Sequence, residues 1–145
     1  MSGGPALASL DYTATPAERA AIIALWTRCG LTRPWNDPTA DLDFALAGPA
    51  STILVLREGD HLIAAAMVGH DGHRGSLYYL AVDPARQRQG LGRALMRAVE
   101  AWLRARGVPK LNLLVRAENA AVLGFYAALG YADNACLSLG KRLDG

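Results

Sequence analysis

Val82-Asp83-Pro84-Ala85-Arg86-Gln87-Arg88-Gln89-Gly90-Leu91-Gly92 is the stretch that decides the fold. An apolar strand, Leu77 to Val82, runs into it, and an amphipathic helix leaves it. That helix carries Leu91, Ala94, Leu95, Ala98, Val99, Trp102 and Leu103 on one face and Arg93, Arg97, Glu100 and Arg104 on the other. A helix that starts directly after a glycine loop presents free backbone N–H groups at the positive end of its dipole. Gly90 and Gly92 put small residues where a ligand must come close. The arrangement is a receptor for an anion such as a pyrophosphate.

Working outward, three strands precede this loop. Thr52 to Arg57 and Leu62 to Gly69 are joined by the turn Glu58-Gly59-Asp60, and His70-Asp71-Gly72-His73-Arg74-Gly75 leads into Ser76 to Val82. Further upstream, Ala6 to Tyr12 reads as a first strand. Thr15-Pro16-Ala17-Glu18 is a capping box with Pro at the first helical position. The helix it starts bears Ile22, Leu25, Trp26 and Cys29 on one face and stops at Gly30. Asp37-Pro38 repeats the signal for a shorter helix through Leu46, stopped by Gly48-Pro49. Downstream, Gly107-Val108-Pro109 ends the long helix. Leu111 to Val115 reads as a central strand, Asn119 to Leu129 as a helix closed by Gly130, and Ala135 to Leu139 as a last strand. The order β-α-α-β-β-β-α-β-α-β predicts a mixed α/β sheet.

A chain of 145 residues, about half of them apolar, fits one domain, 1–145, with a real core. The net charge of +2 is small and the basic residues are scattered, so no nucleic-acid surface is expected. Cys29 and Cys136 lack metal-ligand spacing and read as free core thiols in a reducing compartment. The first ten residues carry no basic leader, and no segment approaches membrane-span length, so a soluble cytoplasmic protein without a membrane partner is expected.

The glycine loop lacks the third Gly, early βαβ unit and later acid of a dinucleotide fingerprint. It also lacks the Gly-Lys-Ser/Thr of a P-loop. Taken alone it is equally a plain glycine-rich turn. His70 and His73 have a spacing seen in metal sites, but with no third ligand in view they read as hairpin-tip residues, and no metal is expected.

Gln87-x-x-Gly90-x-Gly92, following Ala81-Val82-Asp83-Pro84, resembles the acyl-CoA signature of the GNAT N-acetyltransferase family. Asn119-Ala120-Ala121-Val122-Leu123-Gly124-Phe125-Tyr126-Ala127-Ala128-Leu129-Gly130-Tyr131 looks like the family's second signature. The resemblance covers roughly residues 50 to 140. In detail the chain is similar to a bacterial subgroup of poorly defined substrate. It shares Arg33-Pro34-Trp35-Asn36-Asp37-Pro38, Asp71-Gly72-His73-Arg74-Gly75 and Leu137-Ser138-Leu139-Gly140-Lys141-Arg142 with that subgroup. The resemblance implies a mostly antiparallel mixed sheet of about six to seven strands with a splayed parallel pair, flanked by about four helices. It implies acetyl-CoA as co-substrate. The pyrophosphate would lie on the backbone of Gln87, Arg88, Gln89, Gly90, Leu91, Gly92 and Arg93. The pantetheine arm would lie along Leu80, Ala81 and Val82, where a backbone N–H polarises the thioester carbonyl. Arg88 stands where many members have Gly, and reads equally as a phosphate contact or a solvated side chain.

The implied reaction is attack of a neutral amine on the thioester and expulsion of CoA thiolate. Tyr126 matches the family's general acid, against its reading as a helix aromatic covering the sheet. Asn119 would cap the helix and touch the CoA arm. The glutamates used as bases by histone-type and ribosomal-protein members are replaced at the corresponding positions by Ser76 and Leu114. Asp71, His73, Glu118, and Tyr79 through a water remain candidate bases. Trp35, Asp71, His73 and Tyr79 are the candidate acceptor residues, with Trp35 also readable as a hydrophobic anchor. Arg33 and Arg74 would bind an acidic acceptor or simply be solvated, and Trp26 and Trp102 read as core. The expected acceptor is a small-molecule amine. A protein N-terminus or lysine, and a catalytically weak acyl-CoA-binding module, are the alternatives. A homodimer is compatible with the sequence.

Overall fold

The computed structural model describes residues 16–87 and 89–144. The expected first strand, Ala6 to Tyr12, the Thr15 cap and Arg88 lie outside the described residues. Contacts divide the chain into two compact units, Met1–Asn112 and Leu113–Gly145.

In the first unit, α1 (Pro16–Arg28) and α2 (Pro38–Leu46) precede β1 (Ser51–Glu58), β2 (His61–His70) and β3 (Gly75–Val82). Both helices start at the expected prolines. Asp37 accepts hydrogen bonds from the backbone N–H of Thr39 (3.0 Å) and Ala40 (3.2 Å), so α2 has a true side-chain cap. Gly59 sits at φ +62° in the β1–β2 turn, a conformation that favours glycine. The three strands form an antiparallel meander in the order β1-β2-β3, and a short β4 (Leu111–Leu113) adds beyond β3. The long helix α3 (Leu91–Ala105) connects β3 to β4.

The alternation of strand side chains makes two cores. Ile53, Val55, Ala65 and Ala81 pack with Ile22, Leu25 and Trp26 of α1 and Leu42 and Ala45 of α2. α3 lies against β1, β2 and β3 and buries Leu91, Leu95, Met96, Val99 and Leu103. Met96, outside the stripe read from the sequence, is 1% exposed. A Cβ on Gly75 would meet Leu103 Cδ1 at 2.6 Å, so that glycine lets helix and strand approach. Trp102 is not in the core as expected. It is partly exposed, with the Arg106 guanidinium 3.7 Å over its ring. The cation covers the ring's solvent face, so burial in the sheet is not needed.

In the second unit, a 3₁₀ stretch (Ala117–Val122) runs into α4 (Leu123–Ala128). Gly130 at φ +94° ends it, and the N–H of Tyr131 donates to Tyr126 O at 3.0 Å. Two expectations fail here. Asn119 does not open the helix. It lies inside the 3₁₀ stretch with φ −110° and ψ 36°, and no side chain caps either segment. Ala135 to Leu139 is not a strand. Ala135 is held at φ 56° with its N–H bonded to Asp133 Oδ1 at 2.7 Å, a local turn that competes with extension. Leu137 and Leu139, which set the alternating pattern, are each 93% exposed. β4 is also shorter than Leu111 to Val115 and stands last in the strand order rather than central. Among the described residues the fold is thus α/β with four α-helices and a mixed four-stranded sheet, fewer strands than expected. Cys136 is exposed rather than core, because the strand that would have buried it does not form.

Candidate active site

The loop after β3 is fixed at its entrance and open at its exit. Asp83, 9% exposed, accepts a hydrogen bond from the N–H of Ala85 (3.0 Å) and thereby caps the 3₁₀ turn Pro84–Arg86. Its other carboxylate oxygen faces Arg28 of α1 and His61 of β2, each at 3.6 Å. Arg86 pairs with Glu58, whose carboxyl is held below the usual range by that hydrogen bond. The Cys29 thiol donates to Val82 O at 3.3 Å, and burial pushes its pKa up, so it stays a neutral thiol tie at neutral pH.

Beyond these ties Gln87, Gln89 and Gly90 are exposed, and Leu91 turns into the core. Gly90 occupies the N-cap of α3 at φ +75°, with no side-chain capping bond and no acidic residue in the first turn. A helix without a cap leaves its first N–H groups, here Leu91 and Gly92 onward, for solvent or an anion. Gly90 is needed for its left-handed conformation. A Cβ there would meet nothing within 4 Å.

Leu80, Ala81 and Val82 lie at the end of β3. β3 has eight residues and β4 three, and the bond from Gly75 N–H to Lys110 O (2.8 Å) places β4 at the Gly75 end. Among the described residues, no strand covers the far edge of β3 near Val82. That edge offers backbone groups to an extended ligand. The β2–β3 register shifts just before it: Met67 faces Tyr78 but Ala65 faces Ala81, so Tyr79 and Leu80 share Ala66, a β-bulge.

At the bulge Tyr79 has φ +55°. Its ring stacks on Trp26 at 4.0 Å with planes 17° apart, and its phenol donates to Asp41 Oδ2 at 2.7 Å. Burial first, then Asp41 and the charge of Asp37, hold the phenol far above its ordinary value. Tyr79 is therefore a proton donor at neutral pH and not itself a base. Sequence reading missed Asp41. The signal available was a carboxylate beside the core residue Leu42, one turn after the capping Asp37.

Asp71 Oδ1 accepts from the N–H groups of His73 (2.9 Å) and Arg74 (2.8 Å), which hold its carboxyl below the usual range. His70 Nδ1 accepts from Gly72 N–H at 3.0 Å. Arg33 is engaged with the carbonyls of Gly30 (2.7 Å) and Thr32 (3.0 Å), while Trp35 is 56% exposed at the α1–α2 loop. Among the described residues no group of three or more His, Cys, Asp or Glu is placed to hold a metal, and no helix is long and apolar enough to cross a membrane.

In the second unit, Tyr126 packs edge-on against Phe125 (5.0 Å) and Tyr131 (5.9 Å). Burial raises its pKa, so the phenol holds its proton at neutral pH. Asn119 and Glu118 are exposed.

Residues 19–131 match the model of the Acetyltransferase (GNAT) family. An acetyltransferase of Pectobacterium atrosepticum is 46% identical over 123 residues, covering 85% of this chain and 87% of that protein. The crystal structure of the ribosomal-protein-S18-alanine N-acetyltransferase of Escherichia coli aligns with TM-score 0.69 and 31% identity over 86% of this chain and 76% of that one. A Clostridium acetobutylicum protein described as a predicted acetyltransferase, solved with acetyl-CoA, shares the fold at TM-score 0.70 and 16% identity, over 88% of this chain and 92% of that one. An uncapped helix after a glycine loop, an uncovered strand edge beside it and these matches agree: the chain belongs to the GNAT family of acetyltransferases.

Proposed function

We propose that this chain moves an acetyl group from acetyl-CoA to the primary amine of a small metabolite, by direct attack in a ternary complex. The observation that carries the reading is the bare N-terminus of α3 behind Gly90, next to the uncovered end of β3. Gln87 through Arg93 would bind the pyrophosphate through backbone N–H groups, and Leu80 to Val82 would pair with the pantetheine arm. A strand N–H would polarise the thioester carbonyl. Asn119 would contact the arm. Trp35, Asp71, His73 and Tyr79 would face the acceptor.

The neutral amine nitrogen bonds to the carbonyl carbon while the C=O pair moves onto oxygen. Collapse of the adduct breaks the C–S bond. The departing thiolate takes the proton of Tyr126, and the phenolate recovers one from the new amide nitrogen, so the group ends as it began. Tyr126 suits this role because burial keeps the phenol protonated until the thiolate leaves, and the phenolate left behind, the stronger base of the two, is at once reprotonated. The earlier proton, lost when the ammonium becomes an amine, goes to Asp71, His73, Glu118 or a water on Tyr79. We take the working unit to be one domain, 1–145, in the cytoplasm, using no metal.

One comparison favours a second acceptor class. The Escherichia coli enzyme at 31% identity is a ribosomal-protein-S18-alanine N-acetyltransferase. Thiol release from acetyl-CoA, measured against a panel of small amines and alanine-initiated peptides, tests both. Turnover with small amines supports the proposal. Turnover with peptides alone transfers the assignment to protein N-termini, and binding without turnover reduces the chain to an acyl-CoA-binding module.

A further inference from the structure

A tyrosine at φ +55° inside a strand is a strained residue, and strain of this kind persists only where its surroundings impose it. Three elements impose it at Tyr79. Trp26 of α1 lies parallel under the ring at 4.0 Å, Asp41 of α2 accepts a hydrogen bond from the phenol at 2.7 Å, and β2 holds the strand in register on both sides of the bulge. Trp26 is fully buried, so the lower jaw of this clamp is part of the core.

The bulge has a consequence for everything after it. Side chains of a strand alternate between faces, so Leu77 and Ala81, four positions apart, would face the same way in a regular strand. They do not. Leu77 pairs with Val68, whereas Ala81 pairs with Ala65 and packs with α1 and α2. The extra residue at Tyr79 reverses the facing of Leu80, Ala81 and Val82. It sets which backbone groups reach the edge that β4 leaves uncovered.

We propose that Tyr79 is a positioning residue for the acyl donor: clamped by Trp26 and Asp41, it holds the bulge that aims Leu80–Val82 at the pantetheine arm. The inference rests on the acetyl-CoA reading above. It assigns Asp41 a role in donor binding through Tyr79 rather than by contact with the ligand.

Two substitutions separate this role from a merely structural one. Val is among the best strand formers and is excluded from positive φ. Asn is a poor strand former that tolerates it. If Tyr79 only fills the strand, Tyr79→Val outperforms Tyr79→Asn. If the left-handed conformation is what matters, the order reverses. Calorimetric titration of the full chain with acetyl-CoA is expected to give a dissociation constant at least fivefold weaker for Tyr79→Val than for Tyr79→Asn. The clamp is tested without that pair by Tyr79→Phe and Asp41→Leu, which remove opposite ends of one hydrogen bond. Each is expected to weaken acetyl-CoA three- to tenfold, and the double variant no more than the worse single one. Equal affinities for the Val and Asn variants, or fully additive losses for the second pair, overturn the positioning role and leave acetyl-CoA binding by the parent chain intact. A parent chain that does not bind acetyl-CoA refutes both the donor assignment and this inference.

Discussion

Replacing Gly90 by Asn and, separately, by Asp isolates the electrostatic character of the α3 N-terminus. Both residues tolerate the φ of +75° better than other side chains, and neither Cβ meets anything within 4 Å. The two variants differ by one charge. In the free protein that charge sits at the positive end of α3, where no acidic residue stands in the first turn. It should stabilise Asp over Asn by about 0.3–1 kcal/mol, a rise in Tm of roughly 1–4 °C. With a pyrophosphate bound the sign reverses. A carboxylate about 6 Å from a phosphate charge costs from about 0.7 kcal/mol in bulk water to about 2.8 kcal/mol near a protein surface. That range corresponds to roughly threefold to hundredfold weaker binding of acetyl-CoA by Gly90→Asp than by Gly90→Asn. Raising the ionic strength narrows the difference, because exposed charges are screened. Calorimetry at low and high salt, with a thermal melt of each free variant, reads both signs. Equal affinities at low salt, or an Asp variant less stable than the Asn variant, would refute the claim that this helix terminus is the anion receptor.

Other consequences are equally direct. Tyr126→Phe removes the proposed proton donor and should lower kcat by about 10²-fold or more while leaving KM for acetyl-CoA within about threefold; full turnover across the pH range would exclude the acid role. Burial raises the pKa of both Tyr79 and Tyr126, so in a spectroscopic titration these phenols ionise after free tyrosine, whose value is about 10. The folded state binds these protons more tightly than the unfolded one. The stability they contribute is therefore intact below about pH 10 and lost as pH rises beyond it, which alkaline urea titrations can follow. Gly75→Ala forces a methyl into Leu103, 2.6 Å from the new Cβ, and should destabilise the protein by about 1–3 kcal/mol in denaturant melts.

Much of the first unit was legible because its signals are local. The Asp37-Pro38 cap, the Glu58-Gly59-Asp60 turn and the apolar stripe of α3 each occupy a few neighbouring residues and have one physical reading. The bulge was not legible. Ser76 to Val82 is a plain apolar run, and nothing in it says that Tyr79 turns left-handed; the cause is the ring of Trp26 and the carboxylate of Asp41, distant in sequence. Asp41 was missed for the same reason. The second unit misled in the opposite direction. Leu137 and Leu139 alternate as a strand would, yet a strand needs a neighbour, and the turn at Asp133–Ala135 takes the backbone elsewhere. Asn119 looked like a cap because helices often begin at Asn, whereas here the chain enters α4 through 3₁₀ geometry. The donor loop could be read at the level of chemistry. The acceptor side could not, because Trp35 lies in the α1–α2 loop and Asp71 and His73 in the β2–β3 loop, and no local signal relates the two loops.

Backbone amide shifts of the labelled full chain, recorded while acetyl-CoA is added, test the central claim most directly. The account predicts saturable shifts concentrated at Gly90, Leu91 and Gly92 and along Leu80 to Val82, with CoA alone reproducing those at the glycines. Saturable binding whose shifts fall elsewhere, with the α3 N-terminus unmoved, would contradict it.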